Sequence, residues 1–269
     1  MAAPSPSFAE LEAVERDAWI DLYAAAPEGV GQGLGIDCRA LDGGALLICR
    51  GIDHIQFNRL AALGVSEPAR AETVALALAE FACAGVRNWI VQAPEQAAGL
   101  TEACARHGLQ PHPRAWAKFQ RPATVVEAPT RLSVREAGPA DALAFGVTAA
   151  AAFGMPAAVG AWLAALVGRP RWHCFLALDA AEAVAAGAVY VAGAGAWLGI
   201  GGTLASHRRL GAQSALLAAR IRHAAQAGCA WLTTETGRPN PGEAGPSYQN
   251  IQRAGFQVAY VRPNLTRPA

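Results

Sequence analysis

The sequence predicts an α/β protein in which one fold is laid down twice in tandem. Strand-length apolar runs alternate with helical patterns from end to end. A glycine-punctuated series, Ala84-Gly85-Val-Arg-Asn-Trp-Ile-Val, then Arg106-His-Gly108-Leu-Gln, then Trp116-Ala-Lys-Phe, has a counterpart later in the chain. That counterpart is Ala227-Gly228-Cys-Ala-Trp-Leu-Thr, Arg253-Ala-Gly255-Phe-Gln and Val258-Ala-Tyr. Both read helix–strand–helix–strand with glycine at the two helix ends, the mark of a duplication. The second half alone has a further feature. A glycine-rich strand runs through Gly199 into the basic turn Ser206-His-Arg-Arg209 and a helix that opens on Gly211.

Each element has a local reason. Ser7-Phe-Ala-Glu10 is a capping box, so a helix follows to about Ala26. Gly29-Val-Gly31-Gln-Gly33-Leu-Gly35 fits no dinucleotide fingerprint and reads as a flexible turn. Strands over Gly33 to Arg39 and Ala45 to Arg50 flank the Asp42-Gly-Gly turn, and Phe57 to Val65 is a third apolar stretch. Ser66-Glu-Pro68 opens a helix that reaches Cys83 or Ala84. A strand over Asn88 to Gln92, a helix over Glu95 to His107 and a strand over Ala115 to Gln120 complete the first half. Arg121 to Thr130, with Pro122 and Pro129, is the linker.

The second half restarts with a strand over Leu132 to Glu136 and a helix opened at Pro139 or Asp141. A short helix over Ala157 to Val167 and strands over Cys174 to Asp179, Val184 to Val191 and Ala196 to Leu204 lead to the basic turn. The helix after Gly211 carries Leu217, Ile221, Ala224 and Ala225 on one face and Gln213, Arg220 and Gln226 on a polar one. A strand over Ala230 to Glu235, a helix over Ser247 to Ala254 and a strand over Phe256 to Val261 close the chain.

A helix start leaves N–H groups unpartnered, and aligned peptide dipoles add positive charge there. Gly211 permits close backbone approach, while Arg208 and Arg209 add full charges, so this turn describes a pyrophosphate site. Arg208-x-x-Gly211-x-Gln213 after a strand resembles the acetyl-coenzyme A loop of the GNAT N-acetyltransferases. That loop is written as Arg or Gln, two residues, Gly, one residue, then Gly or Ala. Ser247-x-x-Asn250 and Gly255-Phe256 extend the resemblance.

The resemblance implies two tandem GNAT-like domains, 1–125 and 131–269, each a mixed, mostly antiparallel sheet flanked by helices. It implies acetyl-CoA as co-substrate, held by Gly202, Thr203, Leu204, Arg208, Arg209, Leu210, Gly211, Ala212, Gln213 and Ser214. Asn250 and Ser247 resemble residues that contact the pantetheine arm or cap this helix, and Ser247 reads better as the cap. Gln213 departs from Gly or Ala, so its side chain is expected to point away from the ligand. The first half has Glu67, Pro68 and Glu72 at the matching helix start and no glycine loop. It reads as a degenerate copy that binds no CoA.

Acetyl transfer to an amine needs a polarised thioester carbonyl, a neutral amine and a home for the departing thiolate. Backbone N–H groups between Leu198 and Gly202, where glycines permit a bulge, suit the first task. Glu235 is the candidate base. Alternation in Trp231-Leu-Thr-Thr-Glu235 places it at the carboxyl end of a strand, the ligand end of an open α/β sheet. Capping a turn or pairing with Arg238 is the alternative for this residue. The resemblance places an acid tyrosine where Ile251 stands, so Tyr248, one turn earlier, is the candidate acid, with packing as its alternative role.

The expected function is transfer of an acetyl group from acetyl-CoA to the primary amine of a small molecule. A non-catalytic CoA-binding or regulatory protein is the alternative, favoured by Gln213 and Ile251. The segment from Ala142 to Gly168 carries no charge, and its Phe145, Phe153, Met155, Trp162 and Leu166 either pack on the first half or line an apolar acceptor cavity.

Composition narrows the alternatives. Fifty-three per cent apolar residues support a well-packed core, and a net charge of +1 gives no field for nucleic acid or anionic membrane. Ala142 to Gly168 and Ala183 to Ser206 could pass for membrane spans, but Gly154-Met-Pro156 breaks one and six glycines break the other. There is no export signal at the amino end, so cytoplasm is the default. The six cysteines have no metal or redox spacing and read as reduced thiols. The six histidines likewise predict no metal. No Gly-x-Ser-x-Gly elbow or Walker lysine is present, and a homodimer is left open.

Overall fold

In the computed structural model, which describes residues 5–268, the alternation becomes eight helices and two mixed, mostly antiparallel sheets. The capping box forms: Ser7 and Glu10 exchange hydrogen bonds at the start of α1 (Phe8–Ala24). The glycine-rich stretch expected as a turn is instead helix α2 (Glu28–Leu34), closed by Gly35 at φ 58°. Glycines inside a helix cost about 1 kcal/mol each, so packing of α2 on the second half must offset its weak propensity.

The Asp42-Gly43 turn joins β1 (Ile36–Leu41) to β2 (Gly44–Cys49), and both turn residues have positive φ. β3 (Arg59–Ala61) pairs antiparallel with β2. Helix α3 (Ala71–Ala84) then crosses to β4 (Ile90–Gln92), which lies parallel to β3. Helix α4 (Leu100–Arg106) leads to the short strand β5 (Gln110–Pro111).

The second half repeats this order. β7 (Ser133–Glu136) is followed by α5 (Ala142–Ala152) and α6 (Ala157–Ala164). The antiparallel strands β8 (Trp172–Asp179), β9 (Glu182–Ala192) and β10 (Gly195–Thr203) come next. Helix α7 (Ala212–Gln226) crosses to β11 (Trp231–Gly237), parallel to β10. Helix α8 (Pro246–Arg253) leads to β12 (Gln257–Arg262). Gly245 caps α8 and Pro246 starts it, so Ser247 lies inside the first turn and is not its cap.

Each sheet borrows a strand. The first has the order β1-β2-β3-β4-β13-β5, and β13 (Asn264–Thr266) comes from the end of the chain. The second runs β12-β6-β11-β10-β9-β8-β7, and β6 (Trp116–Pro122) comes from the first half. The sheets therefore do not divide where the linker divides the chain, and segments 1–125 and 131–269 each lend one strand. The internal match also shifts by one strand. Gln110 opens β5 as Gln257 opens β12, so Trp116-Ala-Lys-Phe corresponds to β13 and not to Val258-Ala-Tyr.

The halves meet around α1. Trp162 of α6 donates its indole N–H to Leu22 O at 2.7 Å, and its ring lies 5.1 Å from Tyr23 and 5.8 Å from Phe57. α5 and α6 touch at two glycines: a Cβ on Gly146 would sit 2.0 Å from Gly160 O. Phe145, Trp162 and Leu166 are thus core, packed with the first half. Beside them runs a buried ionic cluster. Glu12 and Glu15 of α1 meet Arg262, and Glu15 also pairs with Lys118, the chain's single lysine. No helix among the described residues is long and apolar enough to cross a membrane.

Candidate active site

The site begins where two parallel strands part. β10 and β11 pair only from Gly195↔Trp231 to Trp197↔Thr233. Past that point Leu198 O is reached by the Thr234 hydroxyl, at 2.7 Å, and no ladder pair joins the strands. The cause is a bulge: Gly199 to Gly202 on β10 spans Ala188 to Ala186 on β9, one residue more, with Ile200 at φ 54°. Glycine is required at Gly199, where a Cβ would lie 2.0 Å from the Trp197 ring. The bulge expected from the glycines is therefore present at the expected place.

The splay opens into a cavity of about 480 Å³. One wall is apolar and comes from both halves, with Trp19, Leu22 and Phe57 facing Phe153, Met155 and Leu163. The uncharged segment thus packs on the first half through its α6 core and lines this cavity with its Phe153–Met155 tip.

Glu235 stands at the carboxyl end of β11 and lines this cavity. Its Oε2 accepts the Trp197 indole N–H at 2.8 Å and lies 3.9 Å from Lys118 Nζ. It neither caps a turn nor pairs with Arg238 among the described residues. Burial and the nearby Glu15 carboxylate raise its pKa to about 7, against the opposing pull of Lys118. The lysine is 3.9 Å from Glu235 yet in direct contact with Glu15, so Glu15 takes most of its charge.

Across the splay lies a residue that the periodicity misplaced. Arg220, read as part of a polar helix face, is 1% exposed. Its Nε donates to Leu216 O at 3.0 Å, and its Nη1 donates to Gly199 O at 3.0 Å and Ala188 O at 3.3 Å. Glycines make the room, since a Cβ on Gly187 would lie 3.0 Å from the guanidinium. Nη2 has no partner among the described residues, and Arg220 lines the cavity. Burial alone lowers its pKa to about 10, so it stays a cation.

Gln213 lies near this guanidinium. Its side chain turns over β10, with Nε2 2.9 Å from where a Gly201 Cβ would be, and it lines the cavity beside Arg220.

The basic loop leads from this cavity to the start of α7. Arg209 at φ 69° and Gly211 at φ 83° turn the chain through left-handed conformations. Arg208 and Arg209 are exposed and make no ion pair among the described residues. Leu210 O accepts from the Thr130 hydroxyl at 3.2 Å, which ties the linker to the loop. Gly202 and Thr203 end β10 and Leu204 follows them into the turn, and Thr203 Oγ1 is buried without a partner among the described residues. Ala212, Gln213 and Ser214 present first-turn N–H groups, which α-helical geometry leaves free. An unpaired guanidinium, free N–H groups and an orphaned hydroxyl are what a pyrophosphate-bearing thioester requires, so the residues fit that group.

The remaining expected residues lie around α8. Tyr248 lines the cavity, and its ring also packs edge-on against Phe119 at 5.0 Å. Asn250 lies outside the cavity, where its Oδ1 accepts from Arg253 at 2.9 Å. Ile251 is buried and lines the cavity. At the matching helix start of the first half, Asp42 accepts hydrogen bonds from Arg70, at 2.6 Å, and from Thr73. A carboxylate of the chain itself therefore sits where α7 offers an open basic turn, in addition to Glu67 and Glu72.

The arrangement is a GNAT fold present twice, with an exchanged strand in each sheet. Solved structures show the same fold along nearly the whole chain. A GCN5-related N-acetyltransferase from Kribbella flavida is 19% identical over 96% of both chains, with a TM-score of 0.62. A GCN5-related N-acetyltransferase from Sphaerobacter thermophilus is 16% identical over 100% of this chain and 96% of its own, at 0.57. A tandem GNAT protein from the clavulanic acid biosynthesis pathway is 16% identical over 98% of this chain and 95% of its own, at 0.58. No family model matches the sequence, and no curated protein is a match to it.

Proposed function

We propose that the second half is an acetyl-CoA-dependent N-acetyltransferase acting on the primary amine of a small molecule with an apolar or aromatic body. The observation that carries this reading is what lines one cavity. A carboxylate with a pKa of about 7 and a buried guanidinium with a free Nη2 both border it, beside an open basic helix start. Bound acetyl-CoA would supply an acyl group already activated as a thioester.

The chain's own residues do the rest. The Arg208–Ser214 loop holds the pyrophosphate through N–H groups and the Arg208 and Arg209 guanidinium groups. Glu235 accepts the proton that the amine loses as its nitrogen takes the acyl group. Arg220 faces the negative charge that leaves with sulfur, a task for which Ile251 offers no hydroxyl. The acceptor lies against the apolar wall, where Glu235 and Glu243 are the acidic lining residues, so a basic protein tail finds little to pair with.

Two measurements test the reading. Acetyl-CoA should raise the melting temperature, and free-thiol release across an amine panel should favour aryl-alkyl amines over lysine-rich peptides. No thermal shift would remove the CoA reading, and a preference for peptides would remove the apolar acceptor. A shift with no thiol release would select a non-catalytic CoA-binding protein, the reading that the buried Ile251 favours.

Arg220→Gln keeps an amide for the bulge carbonyls and removes the charge. Turnover should fall about 10²–10³-fold, the range for losing one donor to developing negative charge. The Kd for CoA should change much less. A loss of affinity with unchanged turnover would assign Arg220 to cofactor binding instead.

A further inference from the structure

Away from the cavity, three side chains from three elements converge at the far edge of the second sheet. Glu136 ends β7, His173 lies on β8, and His223 belongs to the last turn of α7. Glu136 stands opposite Phe175, and His173 is two residues from Phe175, so alternation puts both on the face that α7 covers. There His173 Nδ1 is 2.9 Å from Glu136 Oε1, and His223 Nδ1 is 3.7 Å from Glu136 Oε2. One donor atom from each residue lies within 4.8 Å of the other two. A tetrahedral ion with bonds of ~2.0–2.2 Å spaces its donors ~3.3 Å apart. The two separations, each to its own carboxylate oxygen, bracket that value.

The group is not a simple ion pair. The neighbouring Arg135 gives its guanidinium to Asp141, at 2.6 Å. That leaves the two imidazoles as the only side-chain partners of the Glu136 carboxylate among the described residues. The imidazole centroids are 3.8 Å apart, and Phe175 lies edge-on to His223 at 5.7 Å, covering the inner side. The outer side is open, with Glu136 47% and His173 32% exposed at the side chain.

We propose that Glu136, His173 and His223 form a binding site for one borderline divalent cation of the zinc class, with the fourth position open to water. Two imidazoles and one carboxylate suit Zn²⁺, Co²⁺, Ni²⁺ or Cu²⁺, whereas Mg²⁺ and Ca²⁺ take sets of oxygens. None of the three residues lines the cavity, so the ion acts as a clip that ties the edge strands to α7. No local spacing announces such a site, because its ligands come from elements far apart in the chain.

The test uses the full chain, stripped with chelator and carrying Cys83→Ser to remove its exposed thiol. Calorimetry with Zn²⁺ should give one site per chain, and Co²⁺ should develop the visible bands of a four- or five-coordinate complex. His173→Ala and His223→Ala should each weaken Zn²⁺ binding by more than about a hundredfold, beyond the loss expected for an outer-shell partner. Glu136→Gln should abolish the Co²⁺ bands. His207→Ala, outside the cluster, should change nothing. All variants should melt as the parent does without metal, because the three side chains are partly exposed. Unchanged affinity in His223→Ala, or a Co²⁺ spectrum equal to that of the free aqueous ion, would overturn the site.

Discussion

Replacing Glu235 by Gln should lower kcat/KM for the amine about 10²–10⁴-fold, the span for losing a positioned general base. The amide can still accept the Trp197 indole N–H, so the fold around β11 should persist. The pH profile gives the sharper test. Wild-type activity should rise with pH through about 7, because Glu235 must be ionised to take the proton. The variant should lose that limb.

Stability should move the opposite way. The folded pKa of Glu235 lies above the ordinary carboxylate range, so its neutral form is favoured in the fold. That contribution is complete at pH values below the ordinary range and is lost as pH rises through about 7. The Gln variant should therefore match wild type in melting near pH 4 and exceed it near pH 8. Equal profiles for the two proteins would remove Glu235 as the base.

Gly211→Asp should abolish CoA binding that the wild type shows at one site per chain. A Cβ at Gly211 would meet only ordinary contacts, at 3.6 Å from Pro129 O and Thr130 Oγ1, so room is not the obstacle. The left-handed φ of 83° costs about 1–2 kcal/mol for any side chain. The carboxylate adds about 4 kcal/mol of repulsion against a phosphate charge roughly 4 Å away at intermediate dielectric. Gly211→Ala carries the strain alone and should bind within about thirtyfold of wild type. Calorimetry that finds Asp and Ala equivalent would place the pyrophosphate elsewhere, and two sites per chain would show that the first half also binds.

Local chemistry made much of this readable in the sequence. The capping box at Ser7, the turn at Asp42, the helix opening on Gly211 and the position of Glu235 each depend on neighbours within a few residues. What the sequence hid depends on what a face meets. Arg220 sits among polar helix positions and is indistinguishable there from a solvated arginine. Only the carbonyls of the β10 bulge and the glycines beneath it make its burial tolerable. Glu12, Glu15 and Lys118 were hidden for the same reason, because their partners come from opposite ends of the chain. The helix α2 overrode three glycines through tertiary packing, and β13 was too short, between prolines, to announce a strand.

The exchanged strands set an order on synthesis. During translation β6 exists before any of the sheet that will hold it, and must wait for β11 and β12 to flank it. The slot between β4 and β5 is closed by residues 264–266, which are made after every other strand of both sheets. Until then the first half presents two open sheet edges, the kind of surface that recruits stray strands. Most of the chain must therefore be released before either half is finished, which favours slow, late, concerted closure over folding half by half. For the same reason, a first copy that has lost its loop chemistry cannot be discarded by the gene: without it the second sheet loses an interior strand.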